Sequence, residues 1–192
     1  NVFPEAQTDR LLLSPDRAEA TGVEILAQYR GRGPLSVTVS YALSKAEETM
    51  GVTALPGLRD QRHAVYTDLT YTPNTRWSFS AAWQYHTGWP ITGVNFALVT
   101  LNNNSRSTVR SFGPTLGSRL PDYHRLDLRA ARTLVTKHGV VKVFVDVFNA
   151  YDQANPIAYD YTTSSAGGVI TVTKKPRNML PILPTAGISW DL

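Results

Sequence analysis

The 192 residues are enough for one domain, and their 42% hydrophobic content would fill a soluble core as readily as it would clothe a membrane protein. A bundle of membrane helices is excluded, because no run approaches the roughly 20 consecutive apolar residues of a helical crossing. The absence of cysteine removes disulfides, thiol nucleophiles and thiolate metal sites, and the formal charge of +4 is scattered over residues such as Arg30, Arg32, Lys137, Lys174, Lys175 and Arg177, without the basic stripe that nucleic acid requires.

Asn1-Val2-Phe3-Pro4-Glu5 has neither the basic start nor the apolar run of a secretory signal, so an exported protein is expected to begin further upstream. Period-two alternation then predicts a first strand with Thr21, Val23, Ile25, Ala27 and Tyr29 on one face and Gly22, Glu24, Leu26, Gln28 and Arg30 on the other. The second sets Leu35, Val37, Val39, Tyr41 and Leu43 against Ser36, Thr38, Ser40, Ala42 and Ser44. In the third, Val65, Thr67, Leu69 and Tyr71 oppose Ala64, Tyr66, Asp68 and Thr70. The fourth is the clearest, with Trp77, Phe79, Ala81, Trp83 and Tyr85 against Ser78, Ser80, Ala82, Gln84 and His86. The fifth places Leu126, Leu128, Ala130 and Leu134 opposite Arg125, Asp127, Arg129 and Ala131, with Arg132 as the single charge on its apolar side, near enough to the strand end to snorkel. The sixth alternates Val141, Val143, Val145 and Val147 with Lys142, Phe144, Asp146 and Phe148, and the seventh sets Ala186, Ile188, Trp190 and Leu192 against Thr185, Gly187, Ser189 and Asp191.

Connections alternate in length. Gly31 to Pro34, Thr72 to Thr75 and Val135 to Gly139 read as tight turns, whereas Lys45 to Arg62, Gly88 to Asp122 and Ala150 to Pro181 are long. A membrane barrel has this pattern, with short turns on the periplasmic side and long loops outside. Strands of about 9 to 11 residues suit a tilted crossing, and a mean hydropathy of −0.20 is no objection, because each lipid-facing residue alternates with a polar one. Tyr29, Tyr71, Trp77 and Trp190 fall beside the short turns, with Tyr41, Trp83 and Tyr85 towards the other rim, as two interfacial aromatic belts. The expected fold is therefore all-β: an antiparallel transmembrane β-barrel portion of about seven long strands. Seven is odd, so the chain is not expected to close on itself as a bacterial single-chain barrel.

From Ala18 onward the order of motifs resembles the C-terminal barrel of TonB-dependent receptors, including their Oar-like branch. Ala20-Thr21-Gly22-Val23-Glu24 is similar to the family's Gly-Val-Glu strand entry, and Tyr41-Ala42-Leu43-Ser44-Lys45-Ala46 to its Tyr-x-x-Ser-Lys-Ala strand end. Asp60-Gln61-Arg62-His63 resembles an Asp-x-Arg-His entry, and Gly88-Trp89-Pro90 the Gly-x-Pro turn after a Trp-rich strand. Tyr123 to Arg129 resembles the Arg-Leu-Asp-Leu-Arg strand, and Asp146 to Tyr151 the Asp-Val-x-Asn-Leu-Phe strand end. The resemblance implies that residues 1–192 are the C-terminal portion of an outer-membrane barrel for uptake of a scarce ligand. The plug and earlier strands would lie outside this sequence, and an energy-transducing TonB-type protein would act through the missing N-terminal parts. The chain departs from the family in ending on Leu192 rather than Phe, with Trp190 its nearest aromatic.

Arg125, Asp127, Arg129, Lys142 and Asp146 are expected to share the lumen face, either as contacts for a plug or anionic ligand or as a ladder of cross-strand ion pairs. Asp68, Asp127 and Asp146 lie on different strands, Glu47-Glu48 reads as a solvated loop pair, and no Gly-x-Ser-x-Gly elbow occurs, so no catalytic role is expected. His63, His86, His124 and His138 lack metal-ligand spacing, although the first three would gather near the extracellular rim if their strands are neighbours. No cofactor is expected. Candidate ligand contacts are the loop aromatics Trp89, Phe112, Tyr151, Tyr159 and Tyr161, with Phe96 beside them, and packing of loop against loop is the competing reading. Asn102 to Ser105 reads as a mobile tip and Val169 to Thr173 as a hairpin arm. The rival readings are another outer-membrane pore, a porin or export pore, and a soluble β-sandwich that binds or hydrolyses carbohydrate.

Overall fold

The computed structural model describes residues 15–102, 105–166 and 169–191, and these are all-β, without a helix. In chain order the strands are β1 (Arg17–Arg30), β2 (Leu35–Met50), β3 (Thr53–Pro56), β4 (His63–Asn74), β5 (Trp77–His86), β6 (Pro90–Ile91) and β7 (Val94–Thr100). They continue as β8 (Arg106–Phe112), β9 (Ser118–Arg119), β10 (Tyr123–Thr136), β11 (Gly139–Phe148), β12 (Pro156–Ala166), β13 (Val169–Asn178) and β14 (Leu183–Asp191).

The seven alternating runs become the seven long strands β1, β2, β4, β5, β10, β11 and β14, which pair antiparallel in that order, and β3 folds back on the end of β2. Register follows from the alternation, since a slip of one residue would turn every side chain to the other face. One rung runs Tyr29, Val37, Leu69, Ala81, Leu128, Val147, Pro184, and the next runs Arg30, Ser36, Thr70, Ser80, Arg129, Asp146, Thr185. Along the middle of the seven strands one side of the sheet is thus uncharged apart from Arg132, and the other carries the charged residues, while Arg17, Glu19, Lys45 and Glu47 join the first side only at the long-connection ends of β1 and β2. Gly187 makes room on the polar side: a Cβ there would stand 2.4 Å from the Phe144 ring on the neighbouring strand.

Very little of the sheet is covered. Leu120, Tyr123 and Ala131 are the buried hydrophobic residues among those described, while Val23 (62%), Val145 (49%) and Ile188 (72%) stand exposed on the uncharged face. The sheet is open, and among the described residues its end strands β1 and β14 do not pair with each other.

The connections are more ordered than the sequence suggests. Lys45 to Arg62 holds the extension of β2 and its partner β3, Gly88 to Asp122 holds the pairs β6–β9 and β7–β8, and β12–β13 fills most of the last long connection. The expected arm Val169 to Thr173 is part of β13. The turn expected at Thr72 to Thr75 is tighter: β4 runs through Asn74, with a register shift between Tyr71 and Asn74 that steps past Pro73, which has no N–H to give the ladder. Asn74 Oδ1 then accepts the N–H groups of Arg76 (2.9 Å) and Trp77 (3.1 Å) and closes the turn. Expectations for Asn1 to Ser14, Asn103, Asn104 and Leu192 fall outside the described residues.

Candidate functional site

On the polar face the expected charged cluster assembles in part. Arg129 Nη1 meets Asp146 Oδ2 across β10–β11 at 3.4 Å, but Arg125 pairs with Asp127 along its own strand at 2.8 Å. Each guanidinium also lies over a β11 ring, Arg125 over Phe148 at 4.0 Å and Arg129 over Phe144 at 4.1 Å. Lys142 shares the face but stands on the rung of Thr133 and Ser189, and has no ion-pair partner among the described residues. The ladder of cross-strand ion pairs is therefore one cross-strand pair and one in-strand pair, both interleaved with aromatic rings.

Above this face, at the long-connection end, the chain builds a latch. Asp60 is 2% exposed: it accepts the N–H of Ala46 at 2.7 Å, pairs closely with Arg119, and has Arg62 at 3.6 Å. Burial opposes its charge, but the Ala46 N–H and the two guanidinium groups prevail and hold its carboxyl below the ordinary value of 3.8. Arg119 also donates to the carbonyls of Asp60 (3.0 Å) and Gly88 (2.9 Å), so two long connections meet at one side chain. Gly88 must lack a side chain, because a Cβ would sit 1.7 Å from the Leu120 carbonyl oxygen. Asp122 accepts the Tyr85 hydroxyl (2.7 Å) and the Gly88 N–H (3.1 Å), and these bonds, led by the tyrosine's, hold its carboxyl low against partial burial.

A second latch anchors the last connection. Asn149 is fully buried at φ 52°, its side chain bonds the N–H (3.0 Å) and carbonyl (3.0 Å) of Gln153, and its own N–H donates to Asp127 Oδ1 at 2.9 Å. Asn tolerates this left-handed backbone better than most residues. Asn155 exchanges side-chain bonds with the backbone of His124, and Asp152 accepts the N–H of Ile182.

The candidate loop aromatics do not form one surface. Trp89 stacks on His86 (5.2 Å), which stacks in turn on Tyr123 (4.7 Å) on the polar side. Tyr151 takes its place on the other side, where its hydroxyl meets His124 Nδ1 (3.0 Å) and Trp83 Nε1 (3.2 Å). Tyr161 packs against Phe96 and so joins two hairpins, Tyr159 lies under Lys174, and Phe112 under Arg110. Loop-on-loop packing accounts for Tyr161. The three histidines reach one rim, but His86 faces the polar side while His63 and His124 follow the uncharged side. His63 meets the Tyr41 hydroxyl there at 2.9 Å.

Sequence reasoning missed both latches. Asp60, Gly88, Asn149 and their neighbours appeared only as motif letters, and Arg119 carried no signal. Such an arrangement orders loops over the polar face, and no three His, Asp or Glu side chains converge as a metal site among the described residues. No protein-family model matches the chain, and comparison with curated proteins and with solved structures finds no match.

Proposed function

We propose that the chain forms part of the wall of a bacterial outer-membrane barrel of the TonB-dependent receptor kind. Its uncharged face meets lipid, its polar face lines the lumen and meets the plug, and its long connections stand outside the cell. The whole protein takes up a scarce ligand, with a TonB-type partner pulling on the plug.

The observation that carries this reading is the uncovered, uncharged face of the seven-strand sheet. Seven strands about 4.8 Å apart, with stretches of about seven to nine residues (about 23 to 30 Å) that carry Arg132 alone as a charge on that face, give a band of roughly 700 Å². Monomeric soluble proteins rarely expose apolar patches above a few hundred Å². A soluble sandwich would cover this face with a second sheet, yet Val23, Ile25, Ile188 and Trp190 are more than half exposed. Arg132, the charge that face carries beside the short turns, lies over the Trp77 ring (5.3 Å), where an interface would receive it, and its other charges, Arg17, Glu19, Lys45 and Glu47, stand at the long-connection ends of β1 and β2.

The identification as a receptor rather than a passive pore draws on the motif order and on the two latches, which suit loops held for binding. The test is reconstitution of the full-length protein into liposomes. A plugged receptor fractionates with the outer membrane and admits no small sugars, so the liposomes do not swell. Swelling would replace the receptor with a porin, and recovery in the aqueous fraction without detergent would remove the membrane assignment altogether.

A further inference from the structure

Charge is distributed unevenly between the two ends of the sheet. At the long-connection end, acids and bases are mixed and largely paired, as in Arg17 with Glu19, Lys45 with Glu47, Asp60 with Arg62 and Arg119, and Arg177 with Asp160. The short-turn end carries Arg30, Arg32, Arg76, Arg132, Lys137 and Lys142 against the single acid Asp191, and none of the six has an ion-pair partner among the described residues. Six unpaired cations along one edge repel one another unless an anion joins them.

Two grooves open among them. β10 overhangs the β4–β5 turn, since Arg132 pairs with Trp77, the first residue of β5, and Thr133 N–H donates to the Arg76 carbonyl at 2.7 Å. In the step so formed lies a groove of about 350 Å³, lined by Thr75, Arg76, Arg132, Thr133, Leu134 and Val135. Its lining carries two guanidinium residues and no carboxylate, with Arg132 and Leu134 on the uncharged side of β10 and Thr133 and Val135 on the polar side. A neighbouring groove shares Thr75, Arg76 and Thr133 and adds Lys142 and Trp77. Guanidinium forks suit phosphate oxygens, and Trp77 and the exposed Leu134, on the same face as Arg132, suit the top of an acyl chain.

We propose that this groove binds the phosphate of an anionic phospholipid, of the phosphatidylglycerol class, in the leaflet at the short-turn side. Arg76 and Arg132 hold the phosphodiester, Thr75 donates to a remaining oxygen, and Leu134, on the same face as Arg132, meets the first methylenes of the acyl chain. The inference rests on the membrane reading above.

The test uses the full-length protein in neutral detergent, offered equal amounts of phosphatidylglycerol and phosphatidylcholine, with bound lipid counted by native mass spectrometry. Wild type retains phosphatidylglycerol preferentially. Each arginine replaced in Arg76→Gln and Arg132→Gln lowers that preference about fivefold. The double Arg→Lys variant keeps charge without the fork and falls between. Excess inorganic phosphate leaves the lipid bound, because the acyl contacts hold it; displacement would assign the groove to free phosphate instead. A wild type without preference, or a double Gln variant that keeps it, overturns this inference while the membrane reading stands. A protein that stays in solution without detergent overturns both.

Discussion

Arg119 reaches a carboxylate 59 positions earlier in the chain, and through Asp60 it ties the end of β2, the entry to β4 and the backbone at Gly88. Replacing Asp60 by Ala leaves the Ala46 N–H and a half-buried guanidinium without their acceptor, a loss of about 1 to 3 kcal/mol. The expected outcome is faster hydrogen exchange at Ala46 and Leu120, with the strand centres unchanged; unchanged exchange at those two amides would remove the latch. The same carboxyl sets a pH response. Because its folded value lies below 3.8, its contribution is full above that value and is lost as pH falls through the lower folded value. Exchange at the rim should therefore be flat from about pH 5 to 8, after correction for intrinsic rates, and rise only in stronger acid. Neither Asp60 nor Arg119 was legible as a site, since neither lies in an alternating run and their pairing depends on how two long connections fold back.

At the scale of the strand, the two faces predict opposite tolerances within β11. Val145→Arg puts a charge on the uncharged face between Ala130 and Ala186, further from the short turns than Arg132, costing about 2 to 4 kcal/mol if that part of the face is at mid-bilayer. Lys142→Gln removes a charge from the polar face, where water remains. Val145→Arg should lose the heat-resistant form of the full-length protein on a gel and Lys142→Gln should keep it; equal mobility of the two would refute the face assignment. Alternation made the seven long strands legible in order and in face. It did not reveal β7–β8 or most of β12–β13, because hairpins exposed on both sides have no face to keep apolar. Tyr159 to Ser165 shows the difficulty, with hydroxyls on both sides of the strand. The Arg129–Asp146 pair was legible as a polar-face neighbour, whereas the Arg125–Asp127 pair along one strand was not.

The whole sheet has two edges, and if it stands in a membrane as proposed, the backbone groups of β1 and β14 that face outward need partners that lipid cannot supply. Strands from elsewhere in the full-length protein would complete the wall. If the long connections stand outside the cell, epitope tags inserted near Leu101 and Ala166 are reached by antibody on intact cells, and a tag at Thr75 only after the outer membrane is breached. The reverse pattern would invert the sheet in the membrane. The central claim, that one face of this sheet meets lipid and the other water, is tested most directly by single cysteines placed in turn from Val140 to Phe148 of the full-length protein in bilayers, against a background of 192 residues with no cysteine. Spin labels at Val141, Val143, Val145 and Val147 should relax with oxygen dissolved in the bilayer, and labels at Lys142, Phe144 and Asp146 with a water-soluble nickel reagent. Equal access of the nickel reagent to both sets would contradict the account.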